Sequence, residues 1–296
     1  MKPPPFSYHA PKSVEETLSL LASLQNVRIL AGGQSLLPML NMRFSLPDHV
    51  IDINRIADLA GISIAGDTIR IGAMTRQRDL EFSPLIAEHL PLMAEAMTYV
   101  GHRQTRNRGT IGGSLCHLDP AAELPCVAAA YDAEIEVMSS AGVRKIAFAD
   151  FPLGYLMPAL EAEELVSSIH VPIWSGNCGA AFVEFARRHG DFAIVSAAAL
   201  LQLDEAGRIS RSSLALGGVG SAPLRMAEVE AFLIGKEADA EVLKQAGDLC
   251  SEIAVEDDPY TPAPYRRHLC GVQVRKALAL AWQRALEAKA KRKSTS

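Results

Sequence analysis

A chain of 296 residues, 49% of them apolar, carries enough hydrophobic side chains to bury a substantial core and to divide into two or more lobes. Its formal net charge of -5 disfavours nucleic acid or an anionic membrane as the main partner, because either selects a basic face; a small soluble ligand fits better. The opening "MKPPPFSYHAPKS" has no apolar core of the signal-peptide kind, and no uninterrupted apolar run reaches the length of a membrane span, so a cytoplasmic location is expected.

In chain order, "SVEETLSLLASL" has helical spacing with Ser13 as its N-cap, "VRILA" and "HVIDI" read as short strands, and an α/β lobe closes near residue 55. A hairpin is expected in "GISIAGDTIRIGAM" around Gly66 and Asp67, then a long helix over residues 75–100 interrupted at Pro84 and Pro91. Strands follow in "AEIEVMSS", "VRKIAFADF" and "ELVSSIHVP", which closes an α+β unit near residue 175. From Gly176 the pattern becomes three strands in meander order, "AAFVEFARR", "DFAIVSAAALLQL" and "RISRSSLALGGVG", then helices in "AEVEAFLIG", "DAEVLKQAGDLCSEIA" and from Pro264 onward. The basic end, 286–296, reads as a frayed tail.

Two glycine loops stand out. In "RILAGGQSLLP" a strand runs into Gly32 and Gly33, with Ser35 adding a hydroxyl before a helix start, a pattern suited to phosphate. It is neither the GxGxxG fingerprint nor a Walker sequence. "RNRGTIGGSL" repeats the chemistry with Gly109, Thr110, Gly112, Gly113 and Ser114, and the pair suggests a diphosphate clamped between two lobes. Asp52 reads better as a capping or buried carboxylate than as a ribose contact. His102, Arg103, Arg106 and Arg108 form either a solvated basic loop or a charge for pyrophosphate or an acidic partner. In "HLDPAAELP" Asp119 is placed to cap a helix, leaving Glu123 for ribose hydroxyls. The five cysteines contain no CxxC and supply no iron–sulfur ligand set. Cys116, His117 and Cys126 match no common zinc spacing, and no metal site is expected.

On "AGGQSLLPMLNMR" (31–43), "RNRGTIGGSLCHLDPAAELP" (106–125) and "FVEFARRHGDFAIVSAA" (182–198), the chain resembles the FAD-binding medium subunits of molybdenum hydroxylases, of the carbon monoxide dehydrogenase medium-chain and xanthine dehydrogenase FAD-subunit type. The resemblance covers essentially the whole chain. It implies an α+β fold: a vanillyl-alcohol-oxidase (PCMH-type) FAD-binding domain over residues 1–175, of two α/β lobes (about 1–55 and 56–175), plus a C-terminal domain of antiparallel sheet and helices over 176–285. It also implies cofactor contacts at Ala31, Gly32, Gly33, Gln34, Ser35 and Leu36, and at Thr110, Ile111, Gly112, Gly113 and Ser114. Val100 would be a wall of the site and Glu123 the adenosine-side acid, where close relatives often have aspartate. Leu165 or Val166 would neighbour the flavin, with Val166 the one chosen. Phe192 would stack near the flavin ring where tyrosine is common; as a residue read alone, it would be a strand residue in the core.

The same resemblance implies non-covalent FAD, not a link through His102, with molybdopterin and 2Fe-2S clusters held by a large and a small partner subunit in a dimer of heterotrimers. No catalytic residue is then required of this chain, whose part is positioning and redox tuning. Two alternatives remain open: a self-contained flavin reductase or oxidase, for which Ser114, His117 and Tyr155 are the available proton donors, and a non-catalytic nucleotide-binding assembly subunit. Changing Gly33 or Gly112 to valine is expected to empty the flavin site without unfolding the chain.

Overall fold

The computed structural model describes residues 1–255, 257 and 260–295. The chain begins β1 (Ser7–His9), α1 (Val14–Ser23), β2 (Val27–Leu30), α2 (Leu36–Asn41) and β3 (His49–Asp52). Extended Ser13 accepts from Glu16 N at 3.2 Å, while the Glu16 carboxylate accepts from Lys12 N at 2.8 Å, so α1 starts where the sequence places it. β1 has no alternating pattern of its own; it is a strand because β3 supplies a parallel main-chain partner. β4 (Ile62–Ala65) and β5 (Thr68–Gly72) form the expected hairpin, with Gly66 at φ +66°.

The long helix expected over 75–100 is three short ones, α3 (Gln77–Phe82), α4 (Pro84–His89) and α5 (Pro91–Ala96). Pro84 and Pro91 each open a helix, because a proline lacks the N–H that would continue the preceding one. Next come α6 (Arg103–Arg108), α7 (Ile111–His117), α8 (Glu123–Tyr131), β6 (Glu134–Ser139), β7 (Gly142–Ala147), β8 (Pro152–Gly154), β9 (Met157–Pro158) and β10 (Leu165–Pro172). The final section holds β11 (Cys178–Phe185), β12 (Val195–Leu203), β13 (Ile209–Gly217), β14 (Leu224–Arg225), α9 (Ala227–Leu233), α10 (Ala240–Ser251) and α11 (Ala263–Thr295). The basic end is therefore helical rather than frayed: Lys289 Nζ donates to the Glu205 carbonyl at 2.7 Å, and an alanine- and lysine-rich sequence suits a helix with cations in its last turn.

The chain packs as two units that do not follow sequence order. The first comprises residues 1–80, 102–118 and 133–171. It contains the parallel sheet β1-β3-β2, the five-stranded sheet β4-β5-β10-β6-β7 and the β8–β9 hairpin. Leu21, Ile51, Ile53, Ile56, Leu59, Met74 and Leu165 form one of its cores.

The second unit comprises residues 81–101, 119–132 and 172–296. Its sheet is the antiparallel meander β11-β12-β13-β14. Val195, Ala197, Ala199 and Leu201 of β12 pack with Val274, Ala277, Leu278 and Ala281 of α11. Helix α8 lies against β12 and β13, which explains why β12 is an almost unbroken apolar run instead of an alternating one. Gly179 permits the closest approach, since a Cβ there would stand 2.0 Å from the Ala281 carbonyl oxygen.

Candidate cofactor site

Both glycine turns lie in the first unit, and their backbones touch. A Cβ on Gly32 would stand 2.3 Å from the Arg108 carbonyl oxygen and 2.8 Å from Gly109 Cα. On the other side, a Cβ on Gly113 would lie 3.6 Å from the Ala31 methyl. What forbids a side chain at Gly32 is thus the second turn itself. Gly33 is different: at φ +75° it occupies the left-handed region, and its missing Cβ would face only leucine side-chain tips. Gly112 packs directly on Ala73, whose carbonyl would be 2.7 Å from an added Cβ. Valine there would disrupt the packing of the unit, so the expectation that it would leave the fold intact is corrected.

The two turns offer different chemistry. Among the described residues, the backbone N–H groups of Gly32, Gly33, Gln34 and Ser35 donate to no protein acceptor. In the second turn Ile111 N donates to Thr75 O at 3.2 Å, Gly112 N to Ala73 O at 2.9 Å and Gly113 N to Thr110 Oγ1 at 3.1 Å. The first two bind the turn to the segment after β5, and the third closes the turn on itself. Amide capacity is concentrated in the first turn, and the second adds the hydroxyls of Thr110 and Ser114. Neither turn contains a carboxylate, so the donor set fits a phosphate.

A polar chain backs the turns. Tyr8 donates its hydroxyl to Asp52 Oδ2 at 2.6 Å, and Asp52 Oδ1 accepts from Asn54 N at 2.9 Å and Asn54 Nδ2 at 2.6 Å. Burial alone would raise the Asp52 carboxyl, but these hydrogen bonds outweigh it and hold it below the usual range. Asn54 Nδ2 also donates to the Ala31 carbonyl at 2.8 Å, and Asn54 Oδ1 accepts from Arg76 Nη2 at 2.6 Å. Asp52 is therefore a structural carboxylate. Of the basic loop, it is the main-chain carbonyl of Arg108 that meets the first turn, with the side chains of Arg103 and Arg108 exposed.

The structure thus brings together Ala31–Leu36 and Thr110–Ser114. Leu165 belongs to the hydrophobic core around Ile51 and Met74, while Val166, the next residue on β10, is 4% exposed and is not part of that core cluster. Val100, Glu123 and Phe192 belong to the second unit. Val100 is buried. Phe192 precedes β12 and is 56% exposed, so the reading of it as a core strand residue is corrected. Glu123 opens α8 and is buried, and the N-cap of that helix is Ala122. Asp119 instead closes a local turn by accepting from Ala121 N at 2.9 Å. Glu184 of β11 is a half-buried acid without a sequence signal: desolvation, with the charge of Glu123, lifts its carboxyl to about 8.

Burial pushes the thiols of Cys116, Cys126, Cys250 and Cys270 up to about 12, which makes them poor thiolates. Among the described residues no group of three or more histidine, cysteine or acidic side chains is placed to hold a metal, and no helix is long and apolar enough to cross a membrane.

The first unit is α+β with two touching glycine turns, and the second is an antiparallel sheet with helices. The family described as the FAD binding domain in molybdopterin dehydrogenase matches residues 4–174, and the CO dehydrogenase flavoprotein C-terminal domain matches residues 180–281. The chain is 42% identical to the 6-hydroxypseudooxynicotine dehydrogenase complex subunit alpha of Paenarthrobacter nicotinovorans, over 96% of this chain and 97% of that one. It is 38% identical to the caffeine dehydrogenase subunit beta of a Pseudomonas species, over 99% and 100%. The solved carbon monoxide dehydrogenase of Hydrogenophaga pseudoflava superposes with a TM-score of 0.93 at 40% identity, covering 96% of this chain and 99% of that one. This chain belongs to the family of FAD-binding medium subunits of molybdenum-dependent dehydrogenases. It is an oxidoreductase subunit, and its cofactor is FAD.

Proposed function

We propose that this chain is the electron outlet of a heteromeric molybdenum hydroxylase, receiving electrons from iron–sulfur centres of a small partner and delivering them to an external acceptor. A large molybdopterin subunit would oxidise the substrate and set its identity, and the assembly would be a dimer of heterotrimers. The observation that carries this reading is the contact between the two glycine turns, with the unbonded amides of residues 32–35 beside the hydroxyls of the second turn. FAD, when bound, supplies the redox chemistry of the subunit. The chain's own residues seat the diphosphate: Gly32–Ser35 through main-chain N–H groups, and Thr110 and Ser114 through hydroxyls. The exposed ring of Phe192 supports a stacking role, and cofactor contacts from Val100, Glu123 and Val166 are part of the same proposal.

The five scattered cysteines support placing the iron–sulfur clusters in another polypeptide. Purified alone, the full chain is expected to turn over no organic substrate, and co-expression with the large and small partners to restore dehydrogenase activity. Robust turnover by the isolated chain would instead establish a self-contained flavoenzyme. A complex that is active without flavin absorbance would establish a non-catalytic assembly subunit.

A further inference from the structure

The Arg76 guanidinium is bonded to the second glycine turn directly and to the first through Asn54. Its Nη1 donates to the Arg108 carbonyl at 2.5 Å, the same oxygen against which Gly32 packs. Its Nη2 donates to Asn54 Oδ1, and Asn54 Nδ2 donates to the Ala31 carbonyl at the entrance of the first turn. The main chain on either side of Arg76 is already tied to the second turn, through Gln77 N to Gly109 O at 2.9 Å and Ile111 N to Thr75 O at 3.2 Å. The side chain therefore extends a fixed point on one turn toward the other. Asp52, itself held by Tyr8, stops Asn54 from rotating, so the amide oxygen faces the guanidinium while its nitrogen faces Ala31.

We infer that Arg76, acting through Asn54, is a positioning residue that sets the spacing between the two turns and thereby the seat of the flavin diphosphate. It touches no reacting atom. The inference rests on the reading that these turns hold the diphosphate. A guanidinium can make the two separate contacts from one rigid plane, whereas an ammonium is a single point of charge. Lysine at position 76 therefore keeps the charge and loses the bridge.

The test uses the full chain in its assembled complex, stripped of flavin and titrated with FAD, for wild type, Arg76→Lys, Arg76→Gln, Asn54→Ala, the Arg76→Gln/Asn54→Ala double variant and Gly33→Ala. Arg76→Gln and Arg76→Lys are expected to weaken FAD binding by about tenfold or more, the loss of two charge-assisted hydrogen bonds, with the absorption envelope of bound flavin unchanged. Because the two residues form one relay, the double variant should be no weaker than the worse single one. Restoration by lysine would overturn the inference, since charge alone would then suffice, and additive losses would overturn the route through Asn54. If the Arg76 variants bind FAD normally while Gly33→Ala does not, the inference fails and the glycine seat stands. If Gly33→Ala and the Arg76 variants all bind normally, the seat itself is misassigned and the inference falls with it.

Discussion

Glu184 holds a proton that a free glutamate would release. Its carboxyl is lifted from 4.5 to about 8 by burial and by Glu123, and its Oε2 has no hydrogen-bond partner among the described residues. Between about pH 4.5 and 8 the unfolded chain loses this proton while the folded chain keeps it, so stability falls as pH rises through that window. Glu184→Gln should flatten the slope and stabilise the protein at pH 8 by roughly 1–3 kcal/mol, after discounting for partial solvent screening. Thermal melts at pH 5 and pH 8 measure it; a variant whose melting point still drops like wild type would exclude Glu184 as the source. The glycines make a second contrast. Gly112→Val drives a side chain into the Ala73 backbone and should cost more than about 3 kcal/mol or abolish soluble expression, whereas Gly33→Ala should cost about 1–2 kcal/mol in left-handed strain. Denaturant midpoints of the two variants test the ordering. The sequence shows these positions to be bare backbone; Gly33 faces its near neighbours Leu30 and Leu37, but what Gly112 faces, Ala73, is set by a residue far along the chain. Asn54 and Arg76 escape sequence reading for the same reason, because neither sits in a motif and their partnership exists only once β3 and β5 have folded.

Among the elements, those specified locally are the ones legible beforehand. The Ser13 cap, the Gly66 turn and the interruptions at Pro84 and Pro91 each act within a few residues, and each falls where the pattern puts it. β1 is specified by a partner elsewhere, β3, and so carries little signal, whereas the C-terminal end has helix-forming residues of its own and adds a bond from Lys289 to the Glu205 carbonyl. The union of α5, β11 and α11 is of the same kind as β1. Arg284 of α11 donates to both carboxylate oxygens of Glu95 at 2.7 and 2.9 Å and to the Ala180 carbonyl at 2.5 Å, while Glu95 Oε2 also accepts from Phe182 N at 2.9 Å. Arg284→Met leaves a partly buried carboxylate without its cation and should lower stability by about 1–3 kcal/mol. Adding Glu95→Gln should recover part of that loss. Equal, additive losses in the two single variants and their sum in the double would show that the pair is not coupled.

At the scale of the whole molecule, the chain passes between its two packing units five times, at residues 80, 101, 118, 132 and 171. A fragment of residues 1–175 would contain α5 and α8 without the sheet they cover. Leu92, Met93, Leu124, Val127 and Tyr131, all buried in the intact chain, would meet water. The fragment should aggregate or bind a hydrophobic dye, although it spans the whole of the FAD-binding family match at 4–174. A monodisperse fragment with a cooperative melt would show that residues 1–175 fold without the β11–β14 sheet. That interleaving was not legible, because helix periodicity reports which face is apolar and not which sheet will receive it.

The same thread pattern governs how such proteins can be recombined. A graft that exchanges everything after residue 175 for the sequence of a relative would seat foreign strands beneath native covering helices, mixing two sets of side chains across one tightly filled layer. Exchange partners that respect the packing would carry residues 81–101 and 119–132 along with the C-terminal portion, so the transferable module is three pieces of polypeptide and not one.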